Sequence, residues 1–202
     1  MAERIAILVL AAGSSSRMRG RDKLMELVDG MPLLRRQVLR ALDTGCRVYV
    51  TLPEAPHSRY AAVDGLDIAA VAVPDAAEGM NASLRAGIGA VQSDCDAVMV
   101  LLADMPDVDK DDMNSVLQAI DLKTEKLIWR ATTQDGHAGH PIVFHASLFP
   151  ALLHLSGDSG GRAIVKEHSS RTVHVPLAGS HARTDLDTPE AWAAWRAKNA
   201  SI

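Results

Sequence analysis

The stretch from Leu8 to Leu24, LVLAAGSSSRMRGRDKL, decides how this chain is read. An apolar run carrying Ile5, Ile7 and Val9 stops at Ala11-Ala12-Gly13. Three serines follow, and Arg17, Arg19, Arg21 and Lys23 fall within the next seven residues. A buried strand therefore ends in a loop of small residues rich in backbone N–H groups, hydroxyls and cations. Amides and hydroxyls of such a loop donate hydrogen bonds to a polyphosphate, while Arg and Lys neutralise its charge. The spacing matches neither the Gly-Lys-Ser/Thr ending of a Walker loop nor G-x-G-x-x-G. The plainer alternative is a solvated βα turn that happens to be basic.

Outward from that loop, strand-like and helix-like periods alternate. Ile5 to Leu10, Val48 to Leu52, Ile68 to Val73 and Ala97 to Leu102 read as strands, the last running into Ala103-Asp104-Met105-Pro106. Pro32 precedes an apolar stripe of Leu34, Val38, Ala41 and Leu42, opposed by Arg35, Arg36 and Arg40, which read as a solvated helix face. Met80, Leu84, Ile88 and Val91 recur at helical spacing behind Glu78-Gly79. Asp109, with Asp112 as capping partner, opens a helix bearing Met113, Val116, Leu117 and Ile120. These βα units predict an α/β fold: an open, mostly parallel, Rossmann-like sheet with right-handed crossovers and helices on both faces. The last third is less regular. Lys126 to Arg130 and Pro141 to Phe144 read as strands about a polar Thr132 to Gly139 loop. Gly157 to Gly161 opens a short helix, and Thr172 to Val175 is a late strand. Thr188-Pro189-Glu190 starts a final helix whose Trp192 and Trp195 read as core anchors.

With 202 residues the chain is long enough for one domain with a full core. Hydrophobic residues make up 48% but aromatics only 3%, a diet that suits a parallel sheet covered by helices. The net charge of −4 offers no bulk attraction to nucleic acid, so the basic loop is a local feature. Cys46 and Cys95 are too few for a disulfide framework and read as small hydrophobes near strand starts; no Cys/His spacing suggests zinc. His57, His154, His168, His174 and His181 carry no metal spacing. His137 and His140 lie on a loop that fits a substrate-facing role better than a metal pair. The N-terminal apolar run is too short for a signal peptide or a membrane span, so a cytoplasmic protein without a membrane partner is expected.

In open α/β sheets ligands bind beyond the C-terminal strand ends, where both the basic loop and Asp104 lie. A carboxylate there, facing a phosphate loop, is a natural Mg²⁺ ligand. Asp185 and Asp187 form a second acidic pair: one can complete the metal site, and Asp187, beside the Thr188 cap, is the better candidate for merely steadying the turn.

Six segments in order resemble the nucleotidyltransferases of molybdenum cofactor maturation, most closely the molybdenum cofactor cytidylyltransferases. They are LAAGSSSRMRGRDKL, EGMNASLRAGI (Glu78 to Ile88), LLADMPDV (Leu101 to Val108), GHPIVF (Gly139 to Phe144), GDSGGRAIV (Gly157 to Val165) and TDLDTPEAW (Thr184 to Trp192). The resemblance implies a single nucleotidyltransferase domain over residues 1–202. It also implies a reaction: the terminal phosphate of the molybdopterin cofactor attacks CTP, accepts CMP and releases pyrophosphate, with Mg²⁺ as cofactor. On it, Leu10, Ala11, Ala12 and Gly13 contact the nucleotide by backbone, and Arg17 and Lys23 grip the triphosphate and stabilise the departing pyrophosphate. Asp104 and Asp185 hold the metal, and Asp75, Gly79 and Ser83 surround base and ribose. His140 and the Gly157 to Arg162 segment, Asp158 and Arg162 included, face the pterin. A recipient molybdoenzyme or its chaperone is the implied partner. Family members often read Arg-Met-Gly where Arg19 intervenes here, so Arg19 either bends the loop or reaches solvent or substrate. Ala12 stands where guanylyltransferase relatives tend to carry a second glycine; its methyl group would crowd a purine, which favours CTP over GTP. Two further readings remain: GTP-dependent or sugar- or polyol-phosphate transfer on the same fold, and a carrier that holds the pterin cofactor without chemistry.

Overall fold

The computed structural model describes residues 4–93, 95–156 and 160–199. Four strands run parallel in its sheet: β1 (Ile5–Leu10), β4 (Arg47–Pro53), β5 (Ala69–Val73) and β6 (Ala97–Leu102). Three more extend it: β7 (Ile128–Thr132), β8 (Ala138–His145) and β9 (Thr172–Pro176). The order is β5-β4-β1-β6-β8-β7-β9; β8 is antiparallel to both of its neighbours, and β9 is parallel to β7. A separate two-stranded ribbon joins β2 (Leu27–Val28) to β3 (Met31–Pro32).

Alternation along β1 sends Ile7 and Val9 to one face and Ala6, Leu8 and Leu10 to the other. The first face packs on α1 (Leu33–Leu42), α2 (Arg59–Val63), α4 (Lys110–Gln118) and α7 (Pro189–Asn199) through Leu34, Val38, Ala62, Val116 and Trp192. The second packs on α3 (Met80–Val91), α5 (Phe149–Leu153) and α6 (Arg162–Glu167) through Leu84, Ile88, Leu152 and Ile164. Helices thus cover both faces, as the alternating periods require.

Several expectations change in detail. Arg35, Arg36 and Arg40 are not a solvated face. Arg36 and Arg40 donate to the Pro106 carbonyl at 2.9 and 2.8 Å, Arg40 also to Val108 O at 2.8 Å, and Arg35 to Ala62 O and Asp64 O at 3.1 Å. Those carbonyls, at the end of α2 and in the segment after Asp104, stand outside the strand ladders, so long basic side chains satisfy them while their stems cover apolar surface. Gln37, fully buried, adds a bond to Met105 O at 2.5 Å. Helix α1 is thereby clamped to the segment that follows Asp104. The polar loop shrinks as well, because β7 runs to Thr132 and β8 starts at Ala138; the Thr133 hydroxyl closes the turn by accepting from His137 N at 3.0 Å. The predicted caps form: Asp109 and Asp112 make a reciprocal box, and Ala191 N donates to Thr188 Oγ1 at 3.1 Å. Trp192 is buried, and Trp195, against its edge, is tied by Nε1 to Asp107 Oδ1 at 2.7 Å.

Gly87 sits mid-helix on α3, where alanine would ordinarily stabilise by about 1 kcal/mol. Here a Cβ would stand 2.6 Å from Leu8 Cδ1 in the centre of β1, so overpacking decides the sign. Gly87→Ala is expected to destabilise the fold by about 1–3 kcal/mol, read as a lowered urea midpoint at unchanged slope.

Candidate active site

The Leu10↔Leu102 register puts the ends of β1 and β6 side by side, and Ala103 N donates to Leu10 O at 3.2 Å. The basic loop and Asp104 therefore leave the sheet together. Ala11 N is tied to Thr51 O at 3.1 Å, but the N–H groups of Ala12, Gly13, Ser14 and Ser15 find no protein acceptor among the described residues. Arg19 adopts the left-handed conformation at φ 54° and Gly20 follows at φ 85°, which turns the chain sharply. The extra arginine reaches solvent, where it pairs with Glu190 on α7 at 2.6 Å, both groups exposed.

Behind the loop lies a residue to which sequence reasoning assigned nothing. Arg59, 2% exposed, donates from Nη1 to Ala11 O and Gly13 O at 2.7 and 2.8 Å and from Nη2 to Ser15 Oγ at 3.2 Å. Its Nε and Nη2 fork onto Asp22 at 2.8 and 2.7 Å. Asp22 in turn accepts from Leu24 N at 3.0 Å, and Lys23 N donates to Ser15 Oγ at 3.0 Å. Burial works against the Asp22 charge, but Arg59 prevails and holds the carboxyl below its ordinary range.

In front of the loop the cations meet acids. Lys23 Nζ, 14% exposed, lies 2.5 Å from Asp104 Oδ2 and 2.6 Å from Asp187 Oδ1, and Arg17 reaches Asp187 Oδ2 at 2.6 Å. Burial alone would lower the Lys23 pKa, yet Asp104 and Asp187 raise it, so the ammonium stays charged. Burial likewise disfavours ionised Asp187, but Lys23 and Arg17 win and its pKa falls. Asp185 shifts upward, first through burial and then through Asp187 and Asp104, so the two neighbouring carboxyls are pushed in opposite directions. Asp187, read from sequence as a turn residue, is the acceptor shared by both cations.

Among the described residues no group of three His, Cys, Asp or Glu side chains stands at metal-binding spacing. Asp104 Oδ1 is nevertheless buried with no hydrogen-bond partner, and Asp185 is near enough to feel its charge. A buried carboxylate oxygen left over beside a second carboxyl suits Mg²⁺, which takes one or two carboxylates and fills its shell with water and substrate phosphate.

One cavity opens on the loop and another on the Arg17 and Asp187 side of this ion cluster. One, of about 500 Å³, is walled by the Ala12 to Ser16 loop, His57 and Ala76-Ala77. Of the residues expected around base and ribose, Asp75 precedes that alanine pair, Gly79 (φ 93°) leads into α3, and Ser83 is buried on α3; none of these three lies on the cavity wall. The other cavity, of about 440 Å³, is lined by Arg17, Asp185 and Asp187 together with Arg130, His140, Arg162 and Arg183. Leu10, Ala11, Lys23 and Asp104 stand behind these walls rather than on them. Asp158 lies outside the described residues. Arg130 is shifted down by burial and then by repulsion from Arg162 and Arg183, and neither of those two makes an ion pair among the described residues. His140 is neutral, its pKa driven to about 4 by burial and then by Arg130. His137 instead pairs with Asp135 at 3.3 Å in solvent. His57, unassigned from sequence, accepts Arg59 N at Nδ1 at 3.3 Å, and His181, also unassigned, ties to Asp112 at 2.7 Å.

Residues 7–173 match the family model of the MobA-like NTP transferase domain. The purine catabolism protein PucB of Bacillus subtilis (strain 168) is 30% identical over 118 residues, which cover 57% of this chain and 55% of PucB. The chain thus aligns with about half the length of that curated relative. The crystal structure of Rv0371c from Mycobacterium tuberculosis H37Rv superposes with a TM-score of 0.83 at 26% identity, covering 96% of this chain and 98% of that one. CMP:2-keto-3-deoxy-manno-octonic acid synthetase, in complex with CTP, shares the fold at 15% identity and TM-score 0.77, covering 98% and 99%. The sheet is therefore that of the Rossmann-like nucleotidyltransferases. Among the described residues no helix is long and apolar enough to cross a membrane.

His140 takes up a proton in the unfolded chain near pH 6.5 but in the folded protein only near 4, so stability declines as the pH falls between those values. Between pH 7 and about pH 5 this group alone is expected to remove about 2 kcal/mol, and His140→Gln is expected to flatten that part of the profile. Urea melts at the two pH values measure both.

Proposed function

The chain belongs to the family of MobA-like NTP transferase domains, and on that premise we propose that it transfers CMP from CTP to the molybdopterin cofactor, releasing pyrophosphate. The observation that carries the reading is the Lys23–Asp104–Asp187–Arg17 cluster, whose Arg17 and Asp187 help wall the arginine-lined cavity and whose Lys23 directly follows Asp22 in the wall of the small-residue-loop cavity. A nucleoside triphosphate lies along the first, with its phosphates on the amides of Ala12 to Ser15. An anionic acceptor enters the second, where Arg130, Arg162 and Arg183 concentrate positive charge and His140 offers a neutral, buried ring. The cytidine preference rests on the Ala12 methyl group in the wall of the first cavity.

The acceptor's phosphate oxygen attacks the α-phosphorus of CTP; the new P–O bond forms as the bond to the α,β-bridging oxygen breaks, and pyrophosphate leaves with that electron pair. The nucleophile is already anionic, so positioning and charge neutralisation supply most of the acceleration. Lys23 and Arg17, held on Asp104 and Asp187 in the free protein, exchange those carboxylates for phosphate oxygens and meet the charge that develops on the leaving group. Mg²⁺ held by Asp104 and Asp185 would supply further neutralisation at the phosphates. The product would pass to a molybdoenzyme or its chaperone; the name of PucB favours a recipient in purine catabolism.

Pyrophosphate release from each of the four NTPs, with Mg²⁺ and with or without molybdopterin cofactor, tests this function. Release from CTP that depends on the pterin is the expected result. Release from GTP would move the base preference and keep the mechanism, release with a sugar or polyol phosphate would change the acceptor, and tight pterin binding without release would indicate a carrier. Lys23→Ala is expected to cut turnover by on the order of a hundredfold or more while the cooperative melt persists.

A further inference from the structure

We propose that Arg59 is a positioning residue for the triphosphate, acting through the loop rather than by touching substrate. The inference rests on the reading of that loop as the nucleotide's phosphate site. Arg59 spends its donors on the backbone and hydroxyl acceptors of one loop: Ala11 O, Gly13 O and Ser15 Oγ. Drawing those acceptors to the buried side leaves the intervening N–H groups without protein partners, and unpaired successive amides are what an anion needs. Its remaining fork binds Asp22, and the same carboxylate caps the turn that begins at Lys23, while the same serine hydroxyl accepts Lys23 N. One guanidinium therefore sets two things at once: the face the amides present and the point from which the Lys23 side chain leaves. Both hold only with a planar fork; an ammonium has the charge but not the geometry.

Charge and positioning predict different outcomes, and that makes the idea testable. Arg59→Lys keeps the cation. Asp22→Asn removes an acid from the wall of the loop cavity. If the pair mattered only through its field, the first change would leave polyphosphate affinity alone and the second would tighten it. Positioning predicts that both weaken it. The experiment is calorimetric titration of each variant with inorganic tripolyphosphate, well below the melting transition, beside steady-state pyrophosphate release from CTP with Mg²⁺ and molybdopterin cofactor present. Expected are a tenfold or greater loss of tripolyphosphate affinity in both variants, with a raised KM for CTP and a lowered kcat, because the amides and Lys23 are displaced together. Unchanged affinity in folded Arg59→Lys, or tighter binding by Asp22→Asn, would overturn the proposal. If Arg59→Lys fails to fold, the sign of the Asp22→Asn effect decides alone. Wild-type protein that binds tripolyphosphate but releases pyrophosphate from no nucleotide would sink the transferase reading and leave the Arg59 comparison standing.

Discussion

A single buried guanidinium holds the working end of this molecule in shape. Arg59 opens α2 and is buried against the β1 loop, and every donor direction it has is met by Asp22, Ser15 or a loop carbonyl. Burying a cation is tolerable only with such complete pairing, and removing one partner of a buried pair typically costs about 3–5 kcal/mol. That cost makes the loop conformation obligatory rather than one of many. Small residues at Ala11, Ala12 and Gly13 let the backbone pass close enough for the contact. The left-handed turn at Arg19 and Gly20 then carries the chain back to place Lys23.

The second constraint is the sheet register. Because β1 and β6 end level, the phosphate-type loop and Asp104 emerge at the same height. Helix α1 keeps them there, with Arg36, Arg40 and Gln37 hydrogen-bonded to carbonyls of residues 105–108. Opposite charges then collect: Lys23 and Arg17 neutralise Asp187, Lys23 also neutralises Asp104, and Asp185, without a cation of its own in the cluster, is shifted upward by burial and by its acidic neighbours. The free protein thus stores its cations on its own carboxylates, close to where phosphates would claim them.

Much of this was legible in the chain. The apolar periods located every strand of the parallel half within about two residues, since a strand buried on both faces leaves a continuous aliphatic run. Lys23 and Asp104 meet, as their positions beyond the ends of β1 and β6 suggested, and Arg17, Asp185, His140 and Arg162 line one cavity. Other features were not legible. Arg59 lies in an unremarkable polar stretch, and only α2's packing turns it inward. Arg130 and Arg183 face Arg162 because β7 and the turn at residues 181–183 meet around β8. Asp187 seemed a cap neighbour because its partner Lys23 is 164 residues away.

The sequence by itself determined the α/β class, the strand-end loop with its cations, and the chemistry those residue types allow, because periodicity, turn composition and charge are local quantities. Which charges pair, which arginine is buried, and which way each carboxyl of the acidic pair is shifted were decided only by the tertiary structure. Those properties depend on distances and desolvation between residues far apart in the chain, and only folding sets them.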